Sequence, residues 1–71
     1  MVFKVEYTIW KHQLPQRVFV AAKSKYQAWD KAVYEEIPKL EGELPYSAWV
    51  ASVTYNNGNY REFNNHQGKP Y

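Results

Sequence analysis

Seventy-one residues with a net charge of +2 and no cysteine describe one small domain, without disulfide staples or thiolate metal ligands. A chain of this length buries only about 60% of its unfolded surface, so its three Trp, seven Tyr and three Phe are expected to supply much of the core. No run approaches the length of a bilayer span and no long apolar stretch follows Met1. Neither a membrane-spanning helix nor a secretory signal is therefore expected, and a cysteine-free chain suits the cytoplasm.

In chain order, Phe3, Val5, Tyr7 and Ile9 alternate with Lys4, Glu6, Thr8 and Trp10, the period-2 pattern of a strand with one apolar and one mixed face. Trp10 falls on the mixed face. Residues 11–16 are polar and punctuated by Pro15, and residues 17–22 are β-branched and aromatic. The short loop predicts an antiparallel hairpin.

Residues 24–37 read as the only helix. Ser24 and Gln27 have capping-box spacing. Tyr26, Trp29, Val33, Ile37 and Leu40 form one apolar stripe, with Ala32 beside it. Pro38 predicts the end of the helix, and Gly42 a chain reversal. Lys23 and Lys25 at the start and Glu35 and Glu36 at the end oppose the helix dipole; ordinary solvation and a role toward a partner are both open readings.

Residues 46–55 form a third alternating segment, with Trp49, Ala51, Val53 and Tyr55 on one side. Asn57-Gly58 is the strongest hairpin signal in the chain, leading into a short strand at residues 60–63. A two-residue turn would pair Tyr55 with Tyr60 on one face, and a three-residue loop would match Ala51 with Phe63. The order predicts an α+β, two-layer β-β-α-β-β domain over residues 1–63, with one helix across an antiparallel sheet, and a flexible C-terminal tail over residues 64–71. Strand order stays open.

Chemistry-bearing groups do not assemble along the sequence. His12 and His66 stand apart from other ligand types, the adjacent Glu35 and Glu36 point in different directions on a helix, and the three glycines make no phosphate loop. The expectation is a non-enzymatic interaction protein without cofactor or metal.

Trp, Tyr and Arg are the residues that most often anchor interfaces, which makes Trp10, Tyr55, Tyr60 and Arg61 the candidate protein-binding residues. A second reading is single-stranded nucleic-acid binding by Trp10, Lys11, Arg17, Lys23 and Lys25, where cations meet phosphates and rings meet bases. The charge is bipolar: residues 1–29 hold five cations against Glu6, and residues 30–43 hold five carboxylates against Lys31 and Lys39. The acidic half opposes a phosphate footprint over the whole domain. A homodimer that hides the outer sheet face is a third reading.

The layout from Phe3 to Ala32, a hairpin ending in Val20-Ala21-Ala22, a Ser24 cap, then Ala28 and Ala32 at helical spacing, resembles small proteins encoded by phages and prophages, including the DpnD/PcfM-like group. It is also similar to a small phage inhibitor of bacterial RNA polymerase, a helix on a short antiparallel sheet. The segment from Asn57-Gly58-Asn59-Tyr60 to Lys69-Pro70-Tyr71 is similar to phage proteins of lactic-acid bacteria. The hairpin–helix likeness spans about half the chain, and the second hairpin and basic first half depart from the polymerase inhibitor. The resemblance implies phage or prophage origin and a host protein as partner, and it assigns no functional residue.

Overall fold

The computed structural model describes residues 1–63. Strands β1 (Val2–Thr8), β2 (Gln16–Ala21), β3 (Ser47–Thr54) and β4 (Tyr60–Glu62) form one antiparallel sheet in the order β2-β1-β3-β4, and one helix crosses a single face. The predicted two-layer α+β architecture is the one observed, with β1 and β3 in the centre. The tail predicted for residues 64–71 lies outside the described residues. Among the described residues no helix is long and apolar enough to cross a membrane.

The helix begins as read. Ser24 is extended, its hydroxyl accepts from the Gln27 amide, and Gln27 Oε1 accepts in return from the Lys23 amide at 2.7 Å. It does not stop at Ile37. It is α-helical over Lys25–Lys31, π-helical over Ala32–Glu36 and α-helical again over Ile37–Glu41. In an unbroken α-helix the Pro38 ring would meet the Tyr34 carbonyl and one hydrogen bond would be missing. The wide turn, in which the Ile37 amide donates to the Ala32 carbonyl, removes that clash. Pro38 then occupies the first turn of the resumed helix, where no amide proton is needed. Gly42, at φ +83°, closes the segment and donates to the Pro38 carbonyl at 2.8 Å.

The wide turn also changes which residues face the sheet. Trp29, Val33 and Ile37 are buried as the stripe predicts, with Ala32 beside them; Ala28, outside the predicted stripe, is buried as well, whereas the two ends, Tyr26 and Leu40, are exposed. Four-residue steps carry the inner face from Trp29 to Val33, Ile37 and Glu41, because a π-turn holds more residues than an α-turn. The Trp29 indole donates to the Ala48 carbonyl at 2.9 Å, fixing the helix on β3.

Across from the helix, Phe3, Val5, Tyr7 and Ile9 are buried in the alternation expected of the first strand, and Val20 of β2 is buried beside them. β3 departs from simple alternation. Lys4 pairs with Ser52 but Val5 with Val50, so Ala51 is an extra residue in a bulge. Ala48 and Val50 face the helix on one side of the bulge and Val53 on the other. Trp49, grouped by sequence with Val53, therefore lies on the opposite face and donates to Glu6 at 3.2 Å.

The β3–β4 hairpin takes the three-residue loop. Thr54 pairs with Tyr60, Val53 with Arg61 and Ser52 with Glu62, and the Phe63 amide donates to the Ala51 carbonyl. The Tyr55 carbonyl accepts from Gly58, which sits at φ +91°. A Cβ at Gly58 would meet nothing within 4 Å, so replacement costs backbone strain alone. Gly58→Ala is expected to lower stability by about 1–2 kcal/mol, read from the urea midpoint, with Gly58→Asn losing less. An unchanged midpoint for alanine would contradict the positive φ.

Candidate interaction surfaces

Among the described residues, one face of the sheet has no second layer. Cross-strand partners place Val2, Phe19, Trp49 and Tyr60 on it, and Val2, Phe19 and Tyr60 are exposed. Its charges are Lys4 and Arg17 against Glu6 and Glu62, two of each sign. Arg17 stands opposite Glu6, and Tyr60 hydrogen-bonds Glu62 at 3.3 Å. The face is aromatic and close to neutral, the composition of a protein contact rather than of a phosphate track.

β2 borders this face as an edge that pairs with no further strand among the described residues. The Ala22 amide donates to the Met1 carbonyl, which sets the phase of the β1–β2 ladder. By antiparallel alternation the backbone groups of Arg17, Phe19 and Ala21 then point away from β1. Lys31 reaches over to the Ala21 carbonyl at 3.4 Å.

A groove opens on the helix side, at the end of the sheet where the helix begins. It measures about 290 Å³ and has Phe3, Val53, Tyr55 and Phe63 as its apolar lining. Lys25 and Arg61 also line it, and their charges lie 5.6 and 5.5 Å from the centroid of the Phe63 ring.

At the other end, Glu41 ties the helix to the turn after β1. Tyr7 Oη donates to Glu41 Oε2 at 2.6 Å, and His12 Nε2 lies 3.1 Å from Oε1. Lys11 donates to the Glu41 backbone carbonyl and lies 3.8 Å from the carboxylate. Burial first, then the bond and charge of Glu41, push the Tyr7 hydroxyl up to about 12. The Tyr7 hydrogen bond is the main cause that holds the Glu41 carboxyl below its ordinary range; burial opposes it, and His12 and Lys11 add to the lowering. Tyr7 is thus a committed donor, and the cluster acts as a clamp. Among the described residues no three His, Cys, Asp or Glu side chains gather as a metal site.

The structure does not bring the four candidate protein-binding residues onto one surface. Trp10 is not on the mixed face of β1, which ends at Thr8; it sits in the following turn, 81% exposed, with its ring 4.7 Å from that of Tyr46. Tyr55 and Tyr60 do not pair, because the three-residue loop sets Tyr60 opposite Thr54. Tyr60 lies on the open face, and Tyr55 and Arg61 line the groove. The alternative set is divided as well. Trp10 and Lys11 stand near the Glu41 clamp and Arg17 on the open face, while Lys23 and Lys25 lie at the start of the helix. Phe19 and Phe63 were absent from both sets. Phe63 was signalled only by the three-residue loop, and Phe19 only by its parity with Lys4. Comparison of the chain with protein-family models, curated proteins and solved structures gives no match.

Proposed function

We propose that this chain is a non-enzymatic interaction domain that binds another protein through the open face of its sheet and the β2 edge. The observation that carries the reading is the exposed pair Phe19 and Tyr60 on an unlayered, charge-balanced face. Aromatic groups flanked by an arginine are the usual anchors of such contacts, and the outward backbone groups of β2 offer strand addition. The sequence resemblance to phage and prophage proteins supports a bacterial host protein as the partner, met in the cytoplasm. Nucleic acid is the weaker reading, since the open face carries no net positive charge and the basic residues named for it are dispersed.

The test is capture from bacterial lysate on immobilised protein, with and without nuclease. Phe19→Ser with Tyr60→Ser is expected to abolish capture while far-UV circular dichroism stays unchanged, and Trp10→Ala and nuclease are expected to have no effect. Retained capture by the double variant, or loss with nuclease, would refute the assignment. Sedimentation that shows a dimer dissolved by the same double variant would make the partner a second copy of the chain.

A further inference from the structure

We infer that the groove at the start of the helix is a binding site for a small aromatic carboxylate, separate from the protein-binding face. Three observations converge on it. The first is shape and lining: a hollow of about 290 Å³ floored by Phe3, Val53, Tyr55 and Phe63. That is near the lower size for small-ligand pockets, which combine an apolar lining with few polar groups.

The second is charge. Lys25 and Arg61 come from distant parts of the chain, yet both lie within 6 Å of the Phe63 ring centre. Neither forms an ion pair among the described residues, and no acidic side chain lines the groove. Glu62 follows Arg61 in sequence but alternation turns it to the open face, where it accepts from Tyr60. Two like charges gathered with no counter-ion among the described residues favour an anion between them.

The third is geometry. The β4 pairing fixes Arg61 opposite Val53, and the hydrogen bond that the Phe63 amide donates to the Ala51 carbonyl fixes Phe63 beside it. A guanidinium fork held next to an apolar floor suits a planar carboxylate with a hydrophobic body. The carboxylate would meet Arg61 and Lys25, and the ring of the ligand would lie against Phe63 and Tyr55. Such a ligand would brace the hairpin against the helix start.

Amide chemical shifts of the full chain, followed during titration with 3-phenylpropionate and with the neutral 3-phenylpropionamide, test this. The acid is expected to perturb Lys25, Tyr55, Arg61 and Phe63 with saturable, millimolar affinity, and the amide to bind at least about tenfold more weakly. Arg61→Gln with Lys25→Met is expected to weaken the acid by a similar factor with an unchanged circular dichroism spectrum. Absence of shifts, shifts confined to Phe19 and Tyr60, or equal binding of acid and amide would overturn the proposal. Because Phe19→Ser with Tyr60→Ser leaves the groove intact, it should not affect the titration, so this site and the protein-binding face succeed or fail independently.

Discussion

Trp29→Ala is expected to remove about 3–5 kcal/mol of folding stability. The side chain is 7% exposed, packs between the helix and β3, and donates to the Ala48 carbonyl. Truncation leaves a cavity and an unpaired buried acceptor, and the second effect alone costs about 1–3 kcal/mol. Domains hold roughly 0.05–0.15 kcal/mol per residue, so the variant should stand close to the unfolding threshold. Trp29→Phe keeps much of the volume and drops the hydrogen bond, and should lose only the smaller amount. Urea unfolding followed by circular dichroism separates the two. A loss below about 1 kcal/mol for alanine would mean that this indole does not join the layers.

The Tyr7–Glu41 clamp predicts a stability plateau with a distinct limit on each side. Glu41 has a lowered pKa in the folded chain, so its contribution is present above the unfolded value and lost as pH falls through the folded one. Tyr7 is raised from 10.0 to about 12, so its contribution is complete below 10.0 and lost as pH rises toward that higher value. Tyr7→Phe should destabilise the domain at neutral pH. The deficit should shrink in acid, where a protonated Glu41 no longer needs the phenol as donor. In an alkaline absorbance titration, one of the seven tyrosines should ionise last, near about 12, and vanish from the curve in Tyr7→Phe. A late-titrating group that survives the substitution would place the clamp elsewhere.

The fold was legible where period and punctuation agreed. Phe3, Val5, Tyr7 and Ile9 predicted the inner face of β1, and Ser24 with Gln27 predicted the helix start, because each rests on local geometry. Three features were hidden by single extra residues. Ala51 in β3 turned Trp49 outward, the third loop residue parted Tyr55 from Tyr60, and the π-turn carried Glu41 inward. Strand alternation and helical periodicity assume a regular backbone, so they fail at an insertion. The groove was half visible: Arg61 and Tyr55 were candidates for one role and Lys25 for another, and only the β3–β4 register and the helix start place them together. The open face was less so, since Phe19 in an apolar run reads as core until the helix is seen to cover the other side.

The π-turn has a consequence for how this chain tolerates loss of sequence. Deleting any one residue within 32–36 would remove the extra residue of the wide turn and let the helix close into uniform α geometry, with the residues downstream still facing as they do now. Leu40 would stay outward and Glu41 would keep its place against Tyr7 and His12. The same deletion would return Pro38 to a clash with the carbonyl one turn earlier. The wide turn thus works as a one-residue shim that the proline demands, and a single lost codon there would strain the helix at Pro38 while leaving the clamp in register.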